Sequence, residues 1–165
     1  MAAGRLFIVG LWVVWLPLVS GCSKHPPQAV DDSHQAVTIK GETFNLELAL
    51  DDDTRIQGLS DRPEIPADGG MLFVFPDEKR RAFVMRRCPV PIDIAFLDAR
   101  GEVVWMHAMQ VEPDPNAPDN RLKLYKSHHP TQFAIEFRDG TLRRLGLRQG
   151  DRIDLPLEDL KRRAK

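Results

Sequence analysis

Several classes of function are closed to this chain by what it has little of. Cysteine occurs twice, as Cys22 and Cys88, too far apart in sequence for a Cys-x-x-Cys metal or redox motif. The longest uncharged apolar stretch, Leu6 to Val19, has fourteen residues, short of the ~20 that a helix needs to cross a bilayer core. A formal net charge of −1 gives no electrostatic ground for binding nucleic acid. Neither a phosphate-binding Gly-rich loop nor a Gly-x-Ser-x-Gly elbow occurs, and Gly69-Gly70 reads as a turn into a strand.

The short apolar stretch follows a single basic residue, Arg5, and ends at Ser20-Gly21-Cys22. Basic start, apolar middle and small residues at the end are the order of a cleavable leader, here residues 1–21. Val19-Ser20-Gly21-Cys22 closely resembles the lipobox of bacterial lipoproteins, in which the cysteine thiol is lipidated and becomes the first residue of the mature chain. The resemblance implies a palmitate-bearing membrane anchor on Cys22, stable because several acyl chains each bury many methylenes. Ser23 after that cysteine implies sorting to the outer membrane, facing the periplasm, in a bacterium with two membranes. Lipidation of Cys22 leaves Cys88 without a disulfide partner.

Residues 22–36 hold His, Pro, Gln, Asp and Ser with almost nothing large and apolar, and read as a flexible tether. The domain is expected over 37–157, and the Lys- and Arg-rich residues 158–165 as a solvated basic tail. Val37 and Ile39, then Phe44, Leu46, Leu48 and Leu50, alternate with mostly polar neighbours around Lys40-Gly41, the pattern of a hairpin with one buried face. Asp51, Asp52 and Asp53 can cap a short helix with Ile56 and Leu59 on its inner side, ended by Pro63 and Pro66.

Met71-Leu72-Phe73-Val74-Phe75 is apolar on both faces and reads as a central strand. Residues 82–85, 92–97 and 103–106 read as further strands, with a turn at 98–101. Three prolines make 110–121 a surface loop, Phe133, Ile135 and Phe137 alternate as a strand, and 145–155 supply a turn and a closing strand. The expected fold is mainly β: a small single-domain antiparallel β-sandwich or barrel of about seven or eight strands with one or two short helices.

Gly70-Met71-Leu72-Phe73-Val74-Phe75-Pro76, Phe83-Val84-Met85, and Pro91-Ile92-Asp93-Ile94-Ala95-Phe96-Leu97-Asp98 together resemble the signature blocks of the family called domain of unknown function 192. Arg55-x-x-Gly58-Leu59-x-x-Arg62, Leu145-Gly146-Leu147 and Gly150-Asp151 fit in order and spacing, so the likeness spans roughly residues 37–155. It implies a compact mainly-β fold, often behind a secretion or lipoprotein signal, with no established activity. Where the family often has Phe-Trp-Met followed by a basic residue, Asn and Thr, this chain has Phe83-Val84-Met85-Arg86-Arg87-Cys88, departing at Val84, Arg87 and Cys88.

Asp93 sits in an otherwise apolar strand, so its carboxylate needs a partner, for which Arg55, Arg62, Arg86 and Arg87 are the candidates. It is either an organiser of the turn at Pro89 and Pro91 or a ligand-binding or acid/base group. His107, His128 and His129 lack the close ligand spacing of a zinc site, and neither metal nor cofactor is expected. Cys88 beside Arg86 and Arg87, with His107 as base, is a candidate nucleophile whose pKa the arginines would lower.

The sequence thus points to a lipid-tethered, non-enzymatic β domain binding a glycan, peptide or protein of the cell envelope. Arg86, Arg87, Trp105, His107, Tyr125 and His128 would be presented on loops. The alternative is a small hydrolase or transferase using Asp93, His107 or Cys88, which requires two of these groups within hydrogen-bond reach.

Overall fold

A computed structural model describes Met1 and residues 32–165. The expected leader, Cys22 and the expected tether up to residue 31 lie outside the described residues.

The first hairpin follows the sequence alternation. Strand β1 (His34–Ile39) pairs antiparallel with β2 (Glu42–Ala49), closing at Ile39 opposite Glu42. Lys40 and Gly41 both take positive φ, 50° and 87°, which twists a two-residue turn in the same sense as its strands. Pairing begins at His34 opposite Glu47, so the domain starts three residues before the expected boundary at Val37.

Asp51 caps α1 (Asp52–Gln57): its side chain accepts from the Thr54 amide at 2.9 Å, and the Thr54 hydroxyl reaches back. Leu59 is buried as expected, whereas Ile56 projects outward, 72% exposed. The chain then crosses the sheet and returns as β3 (Met71–Lys79), which pairs with β2 in parallel through Glu47–Ala49 and Met71–Phe73.

The remaining strands are β4 (Ala82–Phe83), β5 (Ile92–Leu97), β6 (Val103–Met109), β7 (Tyr125–Lys126) and β8 (Thr131–Arg138). Six of them form one sheet in the order β1-β2-β3-β8-β5-β6, and β4 pairs with β7. The described residues therefore form a mainly β fold with eight strands. The sheet is mixed because the α1 crossover makes β2 and β3 parallel, and β1 and β6 end it as edges, so no barrel closes.

Alternation in the central strands sends side chains to two buried faces. Leu72, Val74, Ala95, Leu97, Phe133, Ile135 and Phe137 meet one cluster. Phe73, Phe75, Ile92, Ile94, Phe96 and Ala134 meet the other. Phe44, Phe73, Phe96, Phe133 and Phe137 are fully buried, each worth roughly 1.5–3 kcal/mol of transfer free energy.

The first face is covered by α2 (Thr141–Leu145), the following loop and α3 (Leu157–Arg163). Two expectations are corrected here. Residues 145–155 make a loop with one β-bridge, Arg152 to Glu102, rather than a closing strand. Residues 158–165 are not a solvated tail, because α3 buries Leu160 completely against the sheet. The second face is covered by the 50–70 crossover and the β4–β7 ribbon, which supply Leu59, Ile65 and Tyr125. The cavity described next lies on that face.

Gly70 joins the crossover to β3 at φ 146°, and a Cβ there would stand 2.2 Å from the Glu136 carbonyl oxygen. Only glycine lets the two backbones come this close.

Candidate functional site

A cavity of about 420 Å³ opens between α1, the start of β4 and the second face of the sheet. Phe73 and Phe75 of β3, Phe83 of β4 and Cys88 form apolar walls, while Arg55, Arg81 and Arg86 bring positive charge. Phe83 holds the aromatic wall together, edge-on to Phe73 at 4.9 Å and to Phe75 at 6.4 Å between centroids. The Arg81 guanidinium lies 4.1 Å from the centroid of Phe75, a cation–π contact that fixes its position.

Glu136 of β8 also lines this cavity. Its neighbours Ile135 and Phe137 point to the opposite face, so the strand's two-residue period delivers a carboxyl into an apolar environment. Glu136 is 4% exposed. Burial pushes its pKa up to about 8, opposed by a hydrogen bond from the Leu59 backbone, so the group is mostly neutral at pH 7.

Among the described residues, four buried side-chain polar atoms have no hydrogen-bond partner in the protein: Arg81 Nε, Arg86 Nε, Trp105 Nε1 and Glu136 Oε2. Three of the four belong to residues lining this one cavity. Buried polar groups are nearly always paired, because leaving one unpaired costs roughly 1–3 kcal/mol. These atoms have almost no accessible surface of their own, so the cavity meets other parts of the three side chains.

The residues singled out in the sequence are dispersed. Asp93 is buried, but no arginine pairs with it: Oδ2 accepts from the Leu142 amide at 2.8 Å, at the start of α2. Burial raises its pKa and the Leu142 and Gly140 amides oppose the rise. The four arginines are engaged elsewhere. Arg55 donates to Asp52, the Val74 carbonyl and the Lys165 carbonyl. Arg62 grips Glu47 through both guanidinium nitrogens. Arg86 pairs with Asp119 at 2.8 Å and Arg87 with Asp61 at 3.0 Å.

Cys88 is buried in the cavity wall, and its thiol is pushed up to about 11, first by burial and then by the nearby Glu136 charge. The expected lowering by Arg86 and Arg87 does not win, and such a thiol is a poor nucleophile at neutral pH. His107 lies on β6, where Nε2 sits 2.8 Å from the Lys126 carbonyl, among the rings of Trp105, Tyr125 and His128. It does not line the cavity, and Asp93 faces α2 across the sheet, so Asp93, His107 and Cys88 are not brought together. No group of three metal-ligating side chains occurs among the described residues.

Residues 35–155 match the model of DUF192, described as an uncharacterized ACR family. The chain belongs to the DUF192 family. No curated protein matches it. A Sinorhizobium meliloti crystal structure, provisionally described as a transcription regulator, is 31% identical over 73% of this chain and 90% of that one, with a TM-score of 0.60. A Novosphingobium aromaticivorans protein of unknown function is 25% identical over 78% of this chain and 90% of that one, with a TM-score of 0.65.

The DUF192 blocks at 70–76 and 83–85 contribute Phe73, Phe75 and Phe83 to the cavity. Arg81 and Glu136 were missed in the sequence reading. Glu136 carried one signal: a lone charge inside the apolar strand Phe133-Ala134-Ile135-Glu136-Phe137.

Proposed function

We propose that this DUF192 protein is a lipid-anchored component of the cell envelope whose domain binds a ligand in the cavity between α1 and the sheet. The anchor rests on the lipobox-like Val19-Ser20-Gly21-Cys22, with Ser23 favouring the outer membrane. The binding role rests above all on the lining of one cavity, where the rings of Phe73, Phe75 and Phe83 stand with the side chains of Arg81, Arg86 and Glu136. Its size lies toward the lower end of the roughly 300–1,000 Å³ usual for ligand pockets. That favours a small molecule, or the end of a peptide or glycan, over a protein surface.

Binding rather than catalysis is favoured because Cys88 is held as a thiol and neither of its expected partners, His107 and Asp93, lines the cavity. The test is amide chemical-shift mapping of the protein during addition of a low-molecular-weight extract of its own cell envelope. Shifts at Gly58, Leu59, Ser60, Ala82 and Val84 are expected. Shifts confined to Trp105, His107 and His128, or no shifts, would contradict this reading.

A further inference from the structure

We infer that the cavity takes a carboxylate carried on an apolar body, with the carboxylate at Arg81 and Arg86 and the body against Phe73, Phe75 and Phe83. The inference rests on the binding role proposed above and gives the ligand its chemistry.

The arginines decide the sign. Arg81 and Arg86 both line the cavity, and their guanidinium groups stay charged and have no capacity to accept. Arg81 is steadied by Asp77 and by the ring of Phe75, and Arg86 by Asp119, through one terminal nitrogen each, which leaves each group further N–H donors. A planar carboxylate can accept from both, and charge-assisted bonds of this kind are about twice as strong as neutral ones.

Glu136 sharpens the choice. In its neutral form it adds no negative charge to a cavity lined by three arginines. The lining then suits an anion and disfavours an amine, whose N–H groups would meet the arginines. The three phenylalanine rings favour a body that buries apolar area, such as an aromatic or branched side chain. A free aromatic acid and the C-terminal residue of a peptide share this chemistry.

The experiment is calorimetric titration of the full chain in lipid nanodiscs, with empty nanodiscs as the blank. The probes are 3-phenylpropanoate, N-acetyl-Ala-Phe with a free C-terminus, the amide of each, and phenyl phosphate. At least one of the two acids is expected to bind, with its amide at least tenfold weaker. Binding of 3-phenylpropanoate alone supports the inference with a free small acid as the source. Binding of the peptide acid equally well or better supports it with a chain terminus as the source.

Arg81→Gln is expected to weaken the acid at least tenfold, and Arg81→Lys, which keeps the charge but not the guanidinium fork, by less. Unchanged melting temperatures show that these variants are folded; should Arg81→Gln not fold, Arg86→Gln carries the same expectation. Equal binding of acid and amide, or preference for phenyl phosphate, would overturn the carboxylate assignment while leaving the cavity a binding site. Failure of every probe, neutral ones included, would overturn the binding role as well.

Discussion

The carboxylate of Asp93, in the middle of β5, accepts the Leu142 amide hydrogen at 2.8 Å and so caps a helix that begins forty-eight positions later at Thr141. Gly140, the residue at the N-cap of α2, has no side chain to do this, so the cap comes from the sheet beneath. Asp93→Ala is expected to lower stability by about 1–2 kcal/mol, the usual loss for a helix cap. Asp93→Asn should cost less, because its amide oxygen still accepts from Leu142. Denaturant unfolding of both variants checks this, and replacing any of Arg55, Arg62, Arg86 or Arg87 alongside should give no recovery, because none of them contacts Asp93.

Glu136 gives stability a pH dependence of known sign. Its pKa is about 8 when folded, against an ordinary value of 4.5. The folded chain therefore holds a proton that the unfolded chain releases, so this contribution is full below pH 4.5 and is lost as pH rises toward 8, at about 1.4 kcal/mol per unit. Melting curves from pH 5 to 9 should show the decline, and Glu136→Gln should flatten it and stabilise the domain at pH 9.

On the proposed binding role, the same group sets the pH dependence of affinity. Around it in the cavity stand Arg55, Arg81 and Arg86, the outward-facing Asp52, and Cys88, whose thiol remains neutral well above pH 8. Above about pH 8 the ionised Glu136 repels a bound carboxylate, so affinity for 3-phenylpropanoate should fall by up to tenfold per pH unit. Titrations at pH 7, 8 and 9 measure this, and Glu136→Gln should abolish the trend.

Strand β8 shows where the sequence was legible and where it was not. Phe133, Ile135 and Phe137 announced one buried face by their spacing, but Ala134 and Glu136 read as the solvent side of a half-exposed strand. They are buried because the α1 crossover covers that side, and local alternation carries no information about what a distant segment covers. For Asp93 the pattern indicated burial, while its partner was invisible: a backbone amide has no sequence signature, whereas arginines do. The loop prolines and the Lys40-Gly41 turn were legible because their backbone preferences are local. Arg81 was hidden because its role depends on the pairing of β4 with β7 and on a ring three-dimensionally adjacent to it.

The anchor has its own test. In cells fed radioactive palmitate, the proposed anchor predicts that the native chain is labelled and fractionates with membranes, with the Cys22 thiol as the acceptor. Cys22→Ala should lose the label. Undiminished labelling of that variant would show that the lipobox reading is wrong.

The binding role is tested most directly by a crystal structure of the protein soaked with 3-phenylpropanoate at pH 6. The carboxylate is expected within about 3 Å of guanidinium nitrogens of Arg81 and Arg86, with the phenyl ring among Phe73, Phe75 and Phe83. Density for the acid on the Trp105, His107 and His128 surface, with the cavity unfilled at saturating concentration, would contradict it.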